Sequence, residues 1–339
     1  MATSTAWTGL IIGIIFGIVL QRGRVCFNSA FRDIILIKDN YVLKIGALAI
    51  AFQMIALLIL AQFGLFKISA PGLNLVANIV GGYIFGLGMV LAGGCASGTT
   101  YRVGEGLTTA WFAAIFYGMT AMSTGSGVLK PLGDWFKSFA IKNPSAMDEA
   151  LYIKTSGPTV SSLLGISPWI VGLVIAALLI WYVYGTKTTN RKTPINMTLL
   201  ALLLTAVSMG AWWTRSFPGD GNYGLGITAG WSNLIAGFTG AKPLNWAGLE
   251  IIGIILGALI AALASKEFKF RMPKDPKTYL QVMVGGILMG FGASVAGGCN
   301  IGHFLTGVPT LALSSIVASV FFVLGNWTMV YFLYMRNKD

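Results

Sequence analysis

Charge is what this sequence has least of. Only 10% of its 339 residues are Asp, Glu, Lys or Arg, against about a quarter in a soluble domain. That deficit excludes an ordinary soluble fold. Cysteine is scarcer still, with three residues and no Cys-x-x-Cys pair, so a disulfide framework is not expected. One histidine supplies no pair of axial haem ligands. Acids are outnumbered 11 to 23 by Lys and Arg, giving a net charge of +12. In a soluble chain such an excess points to nucleic acid. In a chain this apolar it points to basic loops on one side of a membrane.

What is present is long hydrophobic runs, within a composition that is 55% hydrophobic. Residues 45–63 and 168–184 approach or reach the roughly 20 residues that cross a bilayer, as do 195–213, 246–265 and 310–335. The full reading is nine spans, near 5–21, 44–63, 73–92, 106–127, 168–185, 195–214, 246–264, 279–297 and 310–334. Residues 5–20 read as the first of these rather than as a cleavable signal. With the N-terminus outside and the C-terminus in the cytoplasm, 16 basic residues fall on the cytoplasmic side and seven outside. The bias supports the count and the orientation together. The stretch 128–167, rich in Gly, Pro and Ser, is expected to form an outer loop or a short surface helix.

Residues 25–37 and 222–240 begin and end on one side in this scheme. Both read as re-entrant segments, the alternative being amphipathic helices lying in the interface. An internal repeat organises the rest. Residues 81–104 and 285–308 share nine identities in 24 positions, in the frame GG-x3-G-x-G-x3-AGGC-x2-G. The expected fold is therefore an all-α polytopic membrane protein, one transmembrane domain over 1–339. It divides into a first repeat at 1–127, an outer loop and linking span at 128–194, and a second repeat at 195–339. Four spans, one linker and four spans force the halves into opposite orientations, an architecture that places substrate at the midplane of transporters.

Each repeat ends a greasy run in Gly-Gly-Cys: Gly93-Gly94-Cys95 and Gly297-Gly298-Cys299. Close helix packing explains the glycines that come earlier. It does not explain a Gly-Gly-Cys followed by another glycine. The glycines are expected to stop a helix, leaving amides unpaired, and a helix starting beyond the cysteine would turn its positive end to the break. Two such ends make an anion site without a buried Lys or Arg. A neutral thiol adds a weak donor suited to a soft, sulfur-bearing anion. Cys26, with Arg24 beside it, supplies a third thiol. Asn300 follows Cys299, and His303 stands four residues beyond it. Glu250 is the only acid inside a span, where a carboxylate is a functional candidate, though solvation at the span end is the plain alternative.

The stretches GRVCFNSAFRD at 23–33, AGGCASGTTYRVGEG at 92–106 and AGGCNIGHFLTGVP at 296–309 resemble the YeeE/YedE family of bacterial inner-membrane sulfur transporters. The resemblance implies uptake of thiosulfate, with some relatives linked to selenium. It implies that Cys26, Cys95 and Cys299 line the path and touch substrate sulfur through S–H hydrogen bonds. It implies that Glu250 belongs to the central site. It also implies a small cytoplasmic sulfur-carrier partner resembling a sulfurtransferase, and no cofactor. Against this stand a copper transporter, for which the 13 methionines lack paired spacing, and a membrane thiol oxidoreductase, which would want close cysteine pairs.

A reporter fused after residue 270 should score cytoplasmic and one near residue 140 external. The reverse pattern would overturn the topology.

Overall fold

The computed structural model of the chain describes residues 6–139, 150–153, 156–189, 193–216 and 222–336. Among the described residues the chain is nearly all helical and holds no multi-residue strand. Part of the expected outer loop, 140–149 and 154–155, lies outside them.

The first half runs α1 (Trp7–Gly23), α2 (Phe27–Leu36), α3 (Tyr41–Gln62), α4 (Leu75–Leu91), α5 (Ala96–Gly104) and α6 (Thr108–Ser126). Two short helices, α7 (Lys130–Lys137) and α8 (Val160–Leu164), fall within the loop region and precede α9 (Pro168–Gly185). The second half has α10 (Met197–Arg215), α11 (Ile227–Phe238), α12 (Trp246–Ala264) and α13 (Lys277–Ala296). A wide π-helical segment (Ile301–Gly307) and α14 (Leu313–Val330) complete it. Eight of these stretches are long and apolar enough to cross a membrane; α6 with α7, bent by 68°, makes a ninth. Two of the eight are broken helices, Trp7–Leu36 and Leu75–Gly104, which join α1 to α2 and α4 to α5.

Glycine decides how the helices approach. On α1, a side chain at Gly13 would strike the backbone at Glu250 and Gly253 of α12. On α12, a side chain at Gly257 would strike Ile14 of α1. The same rule joins α4 to α13, where Gly88 lies against Met289 and Gly285 against Ala92. Without a hydrophobic drive between helices in lipid, such backbone contact is what holds them together.

The pairings follow a pattern. Helix α1 packs on α12 and α3 on α10; α4 packs on α14 and α13 on α6; α2 lies against α14 and α11 against α6. Helix α5 lies against α12, and the π segment against α3. Taking the elements of 1–127 and 195–339 in chain order, α1 corresponds to α10, α2 to α11, α3 to α12, α4 to α13, α5 to the π segment and α6 to α14. Exchanging the two sets turns every one of these pairings into another. Helix α9 stands outside the pattern and packs on α3, where buried Lys44 donates to the Val183, Thr186 and Lys187 carbonyls.

All three expected breaks are present, and they share one construction. At the end of α4, Gly93 takes a left-handed φ of 69°; its N–H reaches the Val90 carbonyl and that of Gly94 reaches Met89. At the end of α13, Gly297 has φ 90° and the Gly298 N–H reaches Ala293. At the end of α1 the left-handed residue is Arg24, φ 51°, with its N–H to Gln21 and that of Val25 to Leu20. These hydrogen bonds back to the last turn satisfy carbonyls at the helix end and interrupt the helix. Helices α1 with α2 and α4 with α5 each run on as one broken span, so 25–37 continues the first span where the sequence suggested a re-entrant segment. In each case a cysteine comes two residues after the left-handed one.

Gly257→Leu should lower stability by about 1–3 kcal/mol or more through overpacking against α1. Unchanged detergent-solution melting would show that this contact is not close.

Candidate functional site

Cys26 and Cys95 meet. Their sulfurs are 3.7 Å apart and essentially without solvent exposure. Each is the residue that precedes a short helix, Cys26 before α2 and Cys95 before α5. The Phe27 and Gly98 amides both donate to the Cys95 sulfur at 3.3 Å, so unpaired N–H groups of two helix starts converge on one thiol. Gly98 is needed there, since a side chain would come within 2.5 Å of the Cys26 sulfur. The sequence argument expected the two Gly-Gly-Cys breaks to face each other. The helix starts in contact are instead α2 and α5, both from the first half.

Cys299, fully buried, sits at the third stop. Tyr117, in the middle of α6, lies within electrostatic reach of both Cys299 and Cys95 and meets the Thr228 hydroxyl at 2.8 Å. Tyr223, from the segment before α11, lies within the same reach of Cys299 and Arg215 and donates to the Gly302 carbonyl at 2.5 Å. Arg215 in turn faces Glu250. Arg102 lies within reach of Cys26 on the other side. A line of groups, each within electrostatic reach of the next, thus runs Glu250, Arg215, Tyr223, Cys299, Tyr117, Cys95, Cys26, Arg102, with Cys95 and Cys26 in contact.

Glu250 lies one turn into α12 but is wholly buried, so the solvated alternative does not hold. Neither carboxyl oxygen has a protein hydrogen-bond partner; the Gly226 amide approaches without reaching bonding geometry. Asn300 is likewise fully buried with neither end of its amide paired. A buried polar group left unpaired costs roughly 1–3 kcal/mol, and more if charged. His303 is different. Its Nε2 donates to the Ala296 carbonyl and its Nδ1 accepts from the Ser315 hydroxyl, both at 3.0 Å. Both ring nitrogens are spent on pinning the α13 stop to α14. At the other Gly-Gly-Cys, Arg102 takes a comparable part by donating to the Gly93 carbonyl at 2.7 Å. Gly94 and Gly298 lie against these two braces, Gly94 beside Thr99 and Arg102, Gly298 beside His303.

Arg24 stands at the rim of a cavity of about 600 Å³ lined by Arg22, Tyr101, Arg102, Glu105 and Arg271 among others. Its guanidinium reaches Glu105 at 2.5 Å and Glu267 at 2.8 Å. A left-handed backbone costs a residue with a Cβ roughly 1–2 kcal/mol, and these two ion pairs hold Arg24 there. Glu267 lies beyond the end of α12. A hydrogen bond from Gln21, with Arg24 and Arg22 adding to it, holds its carboxyl below the usual range. Its contribution to stability is therefore full above the ordinary carboxylate range and lost as pH falls through that lowered value.

Sequence reasoning missed Arg102, Arg215 and the three tyrosines 101, 117 and 223. Arg102 carried a signal, standing seven residues after Cys95 on the short helix expected beyond that cysteine. Tyr117 carried none beyond a hydroxyl in an apolar run.

Residues 22–328 match the model of a family described as sulphur transport. The chain belongs to that family. It is similar to the thiosulfate transporter TsuA of Spirochaeta thermophila, 59% identical over 331 residues, covering 97% of this chain and 99% of that one. It is also similar to the thiosulfate transporter TsuA of Escherichia coli, 34% identical over 349 residues and 98% and 95% of the two chains. A shorter likeness, 33% over 150 residues, is to the probable transporter YedE of Escherichia coli and covers 44% of this chain. The family is a transport family, and a multi-pass membrane protein is what its helices describe.

Asn300→Leu replaces the unpaired amide with an apolar group of similar shape. Its melting temperature should hold or rise while transport falls. A clear drop in melting temperature would show that the amide supports the fold instead.

Proposed function

We propose that this chain takes up thiosulfate, or a closely related sulfur oxyanion, across the bacterial inner membrane. One observation carries the reading: three buried thiols stand two residues after three helix stops of the same construction, two of them in contact. The names of its relatives at 59% and 34% identity agree with it. Such a site asks for a substrate that is both anionic and soft. Helix-start amides suit the sulfonate oxygens, and neutral S–H groups suit the terminal sulfur. The unpaired Asn300 amide offers two more donors, and Tyr117 stands between the thiols of the two halves. Copper needs a cluster of ligands around one point; among the described residues no group of three His, Cys, Asp or Glu forms one.

The roles then sort by place. Cys26, Cys95 and Cys299 hand the anion along. Gly94 and Gly298 keep the stops narrow. Arg24 and Arg102 attract charge at the cavity, while Glu250 with Arg215 stands at the far end of the line. His303 braces a stop rather than touching substrate. We read 1–127 and 195–339 as repeats of opposite orientation joined through α9. The exchanged packing pairs support that reading. The N-terminus is taken as periplasmic and the C-terminus as cytoplasmic, from the basic residues.

A dianion entering a cell works against about 4.6 kcal/mol per 100 mV of inside-negative potential. Rapid removal by a small cytoplasmic sulfur carrier would offset this, and such a carrier is the proposed partner.

Cys95→Ala and Cys299→Ala should abolish uptake of radiolabelled thiosulfate by cells while the protein remains in the membrane at normal level. Full uptake in both would end the thiol pathway, and loss confined to copper uptake would transfer the site to metal.

A further inference from the structure

Cys26 and Cys95 form the one sulfur–sulfur contact among the described residues, and the transport reading uses them only as separate thiols. We propose that they are also a dithiol modification site, at which a polythionate, the oxidised disulfane relative of thiosulfate, forms a disulfide that closes the path. The proposal rests on the transport reading for the arrival of the anion. The rest of it stands on the geometry of the pair.

Four features carry it. The sulfurs lie 3.7 Å apart, and a disulfide needs about 2.0 Å, so each must move by less than the length of its own Cβ–S bond. Both cysteines precede helices that begin at the break, in extended backbone outside any helical turn. Gly98 faces the pair with no side chain of its own, and so keeps open the space in which the bond would form. The Phe27 and Gly98 amides point at the Cys95 sulfur and stabilise negative charge as it develops there during attack. The cavity beside α5, where Arg22, Arg24, Arg102 and Arg271 outnumber Glu105 and Glu267, favours a dianion. The two buried thiols lie beyond its lining, so the anion must pass inward from it to reach them. Cys299 has no sulfur neighbour of this kind.

The chemistry balances with tetrathionate. One cysteine sulfur attacks an inner sulfur of the tetrathionate, breaking its central S–S bond and expelling thiosulfate. The cysteine is left as an S-thiosulfonate, and its proton goes to water. The second cysteine attacks the first cysteine's sulfur, forming the disulfide, expelling a second thiosulfate and releasing a second proton. Two thiols lose two electrons and the central bond of tetrathionate gains them. The product ties the starts of α2 and α5 together, and a covalent bond replaces two donors.

The test uses the full chain in liposomes, treated with tetrathionate, then denatured and its free thiols counted. The count should fall from three to one, a peptide containing Cys26 should be found bonded to one containing Cys95, and thiosulfate uptake should be lost and return with dithiothreitol. In Cys299→Ser the count should fall from two to none. A count that stays at three, a bond that involves Cys299, or full uptake through the cross-linked protein would overturn the proposal. A chain that carries no thiosulfate before treatment yet forms the bond between Cys26 and Cys95 would sink the transport reading and uphold the modification site.

Discussion

A helix that ends inside a membrane must find partners for its last carbonyls, because lipid supplies none. This protein meets that demand three times by one device. The chain turns left-handed, amides fold back onto the last turn, and a new helix begins within a few residues, with Cys26 and Cys95 in extended backbone between. The device satisfies the carbonyls of the ending helix and leaves the amides of the starting helix free. A thiol set at that point is surrounded by N–H groups and screened from water. Everything the site does follows from where these three stops are.

The glycine seams bring the stops together. Backbone-to-backbone approach between α1 and α12, and between α4 and α13, removes the side-chain layer that would otherwise hold the breaks apart. The braces are then chosen locally. His303 ties one stop to α14, Arg102 ties another, and the Arg24 guanidinium is held by Glu105 and Glu267. The halves are alike in backbone plan and unlike in chemistry. The first gathers two thiols and several arginines. The second has one thiol, a buried acid and an unpaired amide. A path with different ends suits a cargo that is bound on one side and delivered on the other.

Several buried polar groups are left without protein partners, Glu250 and Asn300 among them. In a core built for stability alone such groups would be paired or absent. Asn300 keeps its unpaired amide next to Cys299, and Glu250 keeps its unpaired carboxyl on α12, where that helix packs against α1.

Most of the fold could be read along the chain. Runs such as 246–264 mark spans because a bilayer's thickness sets a length, and Gly93 and Gly297 mark stops because only glycine enters the left-handed region freely. The stop at Arg24 could not be found that way, since its conformation depends on Glu105 and Glu267, 81 and 243 residues distant. The sequence also singled out the three cysteines and Glu250 by rarity. It did not say that Cys26 would meet Cys95 rather than the two Gly-Gly-Cys thiols meeting each other. It did not say that His303 would be fully engaged, or that Tyr117 would stand between the halves. Local rules act through neighbours a few residues apart, so the sequence determined the helices and where they break. Contacts between distant segments are fixed only when the helices pack, and that packing alone decided which broken ends share a site.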